Sequence, residues 1–261
     1  VVAAGPCSAQ YPFTKAMEVR VGQQRAEITM IAQDRDGLIW AASDHGLLRL
    51  DGDRVEVMVA TGEADITALG PSGQGMVVAL GSGEVLQCMG SRIDTLFSDS
   101  MLVHFPARAI AADTGGTIYL GTYGAGILAL RYPQAWYIST EQGLPDGHVN
   151  DLCMLPDGRL AAATDQGVAV CADRHVLEVF GEEQQAPDNL VLSLAPAPSG
   201  GVWAGTDNGG AFLWIPGHQD LDDSIPPQSG IAAVRDIAVQ GGQIWTAGTY
   251  SGAAYYENGT P

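Results

Sequence analysis

The side chains of this 261-residue chain that could do chemistry are few and widely spaced. Five histidines stand at His45, His104, His148, His175 and His218, with no HxxxH or HExxH pattern and no cysteine partner at ligand spacing. The cysteines at 7, 88, 153 and 171 lack the density and CxxC spacing of a disulfide framework and read as small apolar strand residues. There is no GxSxG elbow, and the Gly-rich stretches do not precede helices, so no nucleophile or phosphate loop is announced. Aspartates in DRDG (34–37) and LDGD (50–53) lack the twelve-residue ligand pattern of a calcium loop and its terminal Glu. What remains suits recognition. Tyr123 and Tyr250 can offer aromatic faces for stacking, with Asn and Asp to hydrogen-bond hydroxyls. Arg108 and Arg235 can grip a carboxylate by bidentate hydrogen bonds, or pair with Asp151 and Asp236 as buried structural bridges.

Twelve Lys+Arg against 30 Asp+Glu give a net charge of −18, which argues against nucleic acid and against an anionic membrane surface as partners. A hydrophobic share of 46%, too high for a disordered acidic chain, comes with 34 Gly and only 16% charged residues. That balance favours short strands joined by tight turns. The most apolar stretch, residues 1–9, is too short to span a bilayer. VVAAGPCSAQ reads either as the end of a signal peptide or as a plain N-terminal tail, and Pro6 does not suit a lipid-anchor motif at Cys7.

The elements that must position the polar residues come from an internal repeat. Six units start near 28, 66, 107, 149, 191 and 234, each with an apolar pair three apart, such as Ile28/Ile31 and Val191/Leu194. A turn glycine follows at 37, 75, 116, 158, 200 and 242, with spacings of 38, 41, 42, 42 and 42. Three residues further on stands Trp40, Val78, Tyr119, Ala161, Trp203 or Trp245. A second turn of small and polar residues closes the pattern, as in SDHG, TYGAG, TDQG, TDNG and TYSG. Apolar runs of four to six cut by Gly predict strands, which in unit one fall at about 28–33, 38–43, 47–51 and 55–59. Four antiparallel strands in some forty residues make one propeller blade, here lettered a to d. The chain is therefore expected to be an all-β, six-bladed propeller over residues 15–261, preceded by a tail at 1–14. Unit six runs out after strand c, and the alternating MEVRV at 17–21 is expected to complete that last blade and close the ring. The alternative is a stretch of a longer array.

DRDGLIWAASDHGLLRLDG (34–52), with echoes at 115–130 and 200–214, resembles the two-component-regulator propeller repeat. The sialidase Asp-box fails by one residue, and the WD dipeptides of WD40 repeats are absent. The resemblance covers nearly the whole chain from residue 28. It implies a periplasmic or secreted sensor region that recognises a carbohydrate fragment or similar small ligand, with no cofactor and no catalysis. A membrane-bound kinase output, usual in that family, has no counterpart in these residues. Some relatives serve instead as protein-interaction subunits of secretion or surface complexes, and homodimers are also open. Other six-bladed propellers are lyases or lactonases, an option that His104 and His148 on neighbouring loops keep open.

In such a fold the b–c turns and d–a loops share one face around the channel. The turns carry His45, Tyr123, Asp165, Asp207, Asn208 and Tyr250, and the loops carry His104, Asp146, His148 and the acidic stretch 218–223. Strand a is expected to line the channel through Thr29, Thr67, Arg108, Asn150, Leu192 and Arg235.

Overall fold

The computed structural model describes residues 18–52, 54–59, 65–227, 233–248 and 252–257. The expected six blades are present. Blade one comprises Ile28–Gln33, Ile39–Ser43, Gly46–Asp51 and Arg54–Val59, within a residue of the boundaries read from sequence. Blades two to five repeat the same antiparallel a-b-c-d order, with inner strands Ile66–Ser72, Ala107–Ala112, Val149–Met154 and Val191–Pro196. Blade six shows strands Val234–Gln240, Gln243–Gly248 and Gly252–Glu257 among the described residues.

A blade is apolar on both faces, so it is stable only when sandwiched between neighbours. Each junction is a separate core. Trp40 and Ala42 of blade one meet Met76, Val78 and Leu80 of blade two. Phe180, Phe212 and Trp214 stack at the junction of blades four and five. Burying one such large side chain contributes about 1.5–3 kcal/mol. The aromatic column faces the following blade, as at Tyr119 and Trp203. In blade two its member is Val77, not Val78: Val77 pairs with Gly70 as Trp40 pairs with Ala32. The cause is a tighter a–b turn, in which Ser72 pairs directly with Gly75 and strand b starts on the glycine itself.

Two sequence signatures have local explanations. The Asp three residues before the turn glycine anchors strand b: Asp34 accepts from the Leu38 N–H at 2.9 Å and from the Trp40 indole at 2.7 Å. Asp113 likewise accepts from Thr117 N–H and from the Tyr119 hydroxyl. The hydroxyl residue that ends strand b pins the b–c turn. Thr122, Thr164 and Thr206 each donate to the carbonyl of a glycine that opens or immediately precedes the next strand, and accept a turn N–H. Those glycines cannot be replaced easily: Gly126 has φ of 80°, and a Cβ there would run into the Ile138 carbonyl.

Every inner strand carries a β-bulge after its first residue. The extra residues that the strand register skips are Thr29, Thr67, Arg108, Asn150, Leu192 and Arg235, the column expected to line the channel. A bulge re-aims one side chain without disturbing the rest of the ladder.

At the N-terminus, Arg20–Val21 pairs with Gln24–Arg25 in a small hairpin. Among the described residues no hydrogen-bonded seam joins this segment to blade six. Residues 1–17, including the start of the expected closing strand, lie outside the described set.

Candidate functional site

Backbone bonds bring the b–c turns and d–a loops to one face, as expected. Asp44 N–H donates to Glu27 C=O, Gly124 and Gly126 N–H both donate to Gly147 C=O, and Asp207 N–H donates to Leu190 C=O. Tyr123 and His148 form a β-bridge that ties the turn of blade three to the loop entering blade four. The approach is so close that a Cβ on Gly147 would lie 2.6 Å from the Gly124 carbonyl oxygen.

On this tie the polar side chains converge. The Arg108 guanidinium lies over the Tyr123 ring, 3.7 Å from its centroid, and the His148 imidazole meets the same ring nearly edge-on at 4.5 Å. Tyr123 is still 40% exposed, so this stack is a surface that a ligand can reach. His148 Nδ1 is 2.8 Å from Asp146 Oδ1, which also accepts the His148 backbone N–H. Asn150 donates to Asp165 Oδ1 at 2.8 Å and to the Val191 carbonyl at 2.9 Å, fixing the carboxylate and linking blades four and five. Asp146, His148 and Asp165 present three ligand atoms within 4.8 Å of one another, a donor set that can hold a cation.

Of the expected site residues, Arg108, Tyr123, His148 and Asp165 are brought together. Asp207 and Arg235 form a second group one blade on, 3.5 Å apart, and Asn208 donates to Asp207. His45 sits in the blade-one turn beside Asp44, 3.9 Å away. His104 is exposed at the end of a short helix, Met101–His104, and is not part of the three-donor group. Tyr250 lies outside the described residues. The acidic stretch 218–223 is not a d–a loop: strand d of blade five is Asp223–Ile225, so the stretch connects c to d on the opposite face, with His218 bonded to Asp222. Arg108 makes no ion pair among the described residues, and Asp151 accepts the Leu152 and Leu194 N–H groups. Burial pushes the Asp151 carboxyl up to about 6.

Sequence reading missed Asp188, which accepts the Leu190 and Asn208 N–H groups. The signal was there: APDNLV at 186–191 repeats LPDGHV at 144–149, placing Asp188 where Asp146 stands. A cavity of about 300 Å³ opens between blades two and three on the opposite face, lined by Ser72, Gln87, Phe97, Leu130 and Tyr132. It holds no carboxylate, histidine or cationic group, whereas a cavity of about 570 Å³ beside the blade-one turn is lined by Glu18, Arg25, Glu27 and Asp44.

No protein-family profile and no curated protein matches the sequence. Solved structures share the fold. The extracellular domain assigned to a hybrid two component system of B. thetaiotaomicron superposes with a TM-score of 0.60 and 19% identity over 92% of this chain. A second such domain from the same organism gives 0.54, 18% and 86%. This chain spans 39% and 38% of those two chains. The virginiamycin B lyase of Staphylococcus aureus, solved with quinupristin, gives 0.69 at 11% identity over 93% of this chain and 88% of that one. No helix among the described residues is long and apolar enough to cross a membrane.

Proposed function

We propose that the chain is a non-catalytic recognition propeller of the extracytoplasmic sensor type, binding a carbohydrate-like ligand at the mouth formed by blades three to five. The observation that carries this reading is the exposed stack of Arg108 on Tyr123, flanked by His148 and by the oriented acceptors Asp146 and Asp165. A guanidinium held flat by an aromatic ring keeps its N–H edges free for a carboxylate, while the neighbouring carboxylates accept from sugar hydroxyls. The ligand class that fits is a short oligosaccharide bearing an acidic sugar. A periplasmic or secreted location follows from this reading and is supported by the sensor domains that share the fold. Binding would be read out as a change in how the mouth blades pack.

Calorimetric titration with a panel of neutral and uronic-acid oligosaccharides tests the proposal. Saturable binding of an acidic member, lost by tenfold or more (about 1.4 kcal/mol) in Tyr123→Ala, is the expected result. Absence of binding across the panel, or affinity unchanged by that substitution, overturns it. The Asp146, His148 and Asp165 group favours one second reading, a metal-assisted lyase. Titration with Mg²⁺, Mn²⁺ and Zn²⁺ separates the two: a stoichiometric metal lost in Asp165→Asn supports the lyase.

A further inference from the structure

The repeat predicts what should cover each blade face, and two faces break the rule. Trp203 of blade five is 4% exposed because blade six lies on it, whereas its counterpart Trp245 is 46% exposed. Around Trp245 on the same face stand its cross-strand partners Ala238 and Tyr255, and the pair Ala247 and Ala253, all exposed. The Trp245 and Tyr255 rings lie against each other at a tilt, centroids 4.7 Å apart. At the other end of the arc, Ile31 of blade one is 72% exposed, whereas its counterpart Ile237 is 5% exposed. Ile39 is 37% exposed where the corresponding Ile244 is buried. Inner strands of successive blades lie side by side at every junction from one to six, and among the described residues those of blades six and one do not.

The N-terminal hairpin identifies what belongs in the opening. In blades three, four and five, the end of strand d packs onto the next blade, through Ile138, Phe180 and Ile225. Val19 and Val21, the residues preceding blade one, do the same: they pack with Ala26 on Ala41, Leu48 and Leu50. They occupy the place of an outer strand, yet among the described residues blade six does not pair with them.

We propose that the cleft between the Trp245/Tyr255 face and the Ile31/Ile39 face is a docking site for one further four-stranded blade of this same repeat, with residues around Val19–Val21 as its outermost strand. The interface is continuous with five already formed, and its two walls carry the two kinds of face those five junctions join. This inference is independent of any ligand at the mouth.

Two measurements test it. Spin labels at Ile39→Cys and Tyr255→Cys, with Cys7→Ser, report the opening in the unextended chain. Labelling is directed to the new sites because burial raises the thiols of Cys88, Cys153 and Cys171, Cys88 to about 11. Directly packed sheets lie about 10 Å apart, so a self-closed ring predicts roughly that separation and a vacant blade position roughly 20 Å. The second measurement appends a second copy of residues 175–214 after Pro261, which supplies strand d for blade six and strands a to c for the new blade. The extension is expected to raise Tm and to protect Trp245 from acrylamide quenching, with Trp245→Phe identifying its emission. A label separation near 10 Å, or a Trp245 as protected as Trp203 in the unextended chain, overturns the proposal whether or not the extension folds. So does a folded extension that leaves Trp245 quenchable.

Discussion

Blades one and two place threonines at the bulge, and blades three and four place Arg108 and Asn150 at the same position. The threonines turn inward on their own blade. Thr29 and Thr67 donate to the Ala42 and Ala79 carbonyls at 3.4 and 3.3 Å, so their polar atoms serve only the strand beside them. Arg108 reaches past the strand beside it to the Tyr123 ring in the turn of its blade, and Asn150 reaches across to blade five. One backbone device therefore does two jobs, and the side chain placed on it decides whether its polar atoms stay on the neighbouring strand or reach a turn or the next blade.

Substitutions at these positions can break or sharpen that contrast. The largest effect is expected at Asn150→Ala, which removes a bond between blades and strands the Asp165 carboxylate. A loss of about 1–3 kcal/mol in urea unfolding is expected, and an unchanged midpoint would deny Asn150 its bridging part. Asp151, next in the chain, should give a pH signature. Its folded carboxyl sits near 6 against an ordinary 3.8, so the folded state holds the proton more tightly than the unfolded chain does. Stability from this group is present at low pH and declines as pH rises from about 4 to about 6. Thermal scans across that window should show a smaller decline for Asp151→Asn than for the parent protein. A more modest effect is expected for Arg108→Lys, which keeps the charge but loses the flat stack. Affinity for an acidic oligosaccharide should weaken by about 0.5–1 kcal/mol with Tm unchanged, and equal binding would remove the stack from the site. Thr29→Val, the smallest, should change stability by no more than about 0.5 kcal/mol and leave binding untouched. An affinity loss there would extend the site into blade one.

The sequence made the blades readable because each signature has a local cause. Asp34 seats Trp40, and the hydroxyls of Thr122, Thr164 and Thr206 hold their own turns, so the pattern recurs wherever a blade does. Reading failed where spacing varied. The tight turn at Ser72 and Gly75 shifted the column to Val77, and the short Asp223–Ile225 strand hid behind its polar residues, which moved 218–222 to the wrong face. The mouth was legible as a set of residues but not as a constellation. Arg108 and Tyr123 are fifteen positions apart, and only the bulge at 108 explains why they meet. The open faces at Ile31 and Trp245 could not be read at all, since each is locally identical in kind to a buried neighbour.

The bulge has one more consequence, for how such a chain can diversify. Because the extra residue in each inner strand makes no ladder pairing, a change there leaves the ladder bonds of the blade intact, and of these positions Asn150 is the one whose side chain bonds across to the next blade's first inner-strand residue and also holds a carboxylate. A lineage of these proteins could vary the side chains at 29, 67, 108, 192 and 235 by single codon changes, while the ladder beneath stayed under unchanged selection.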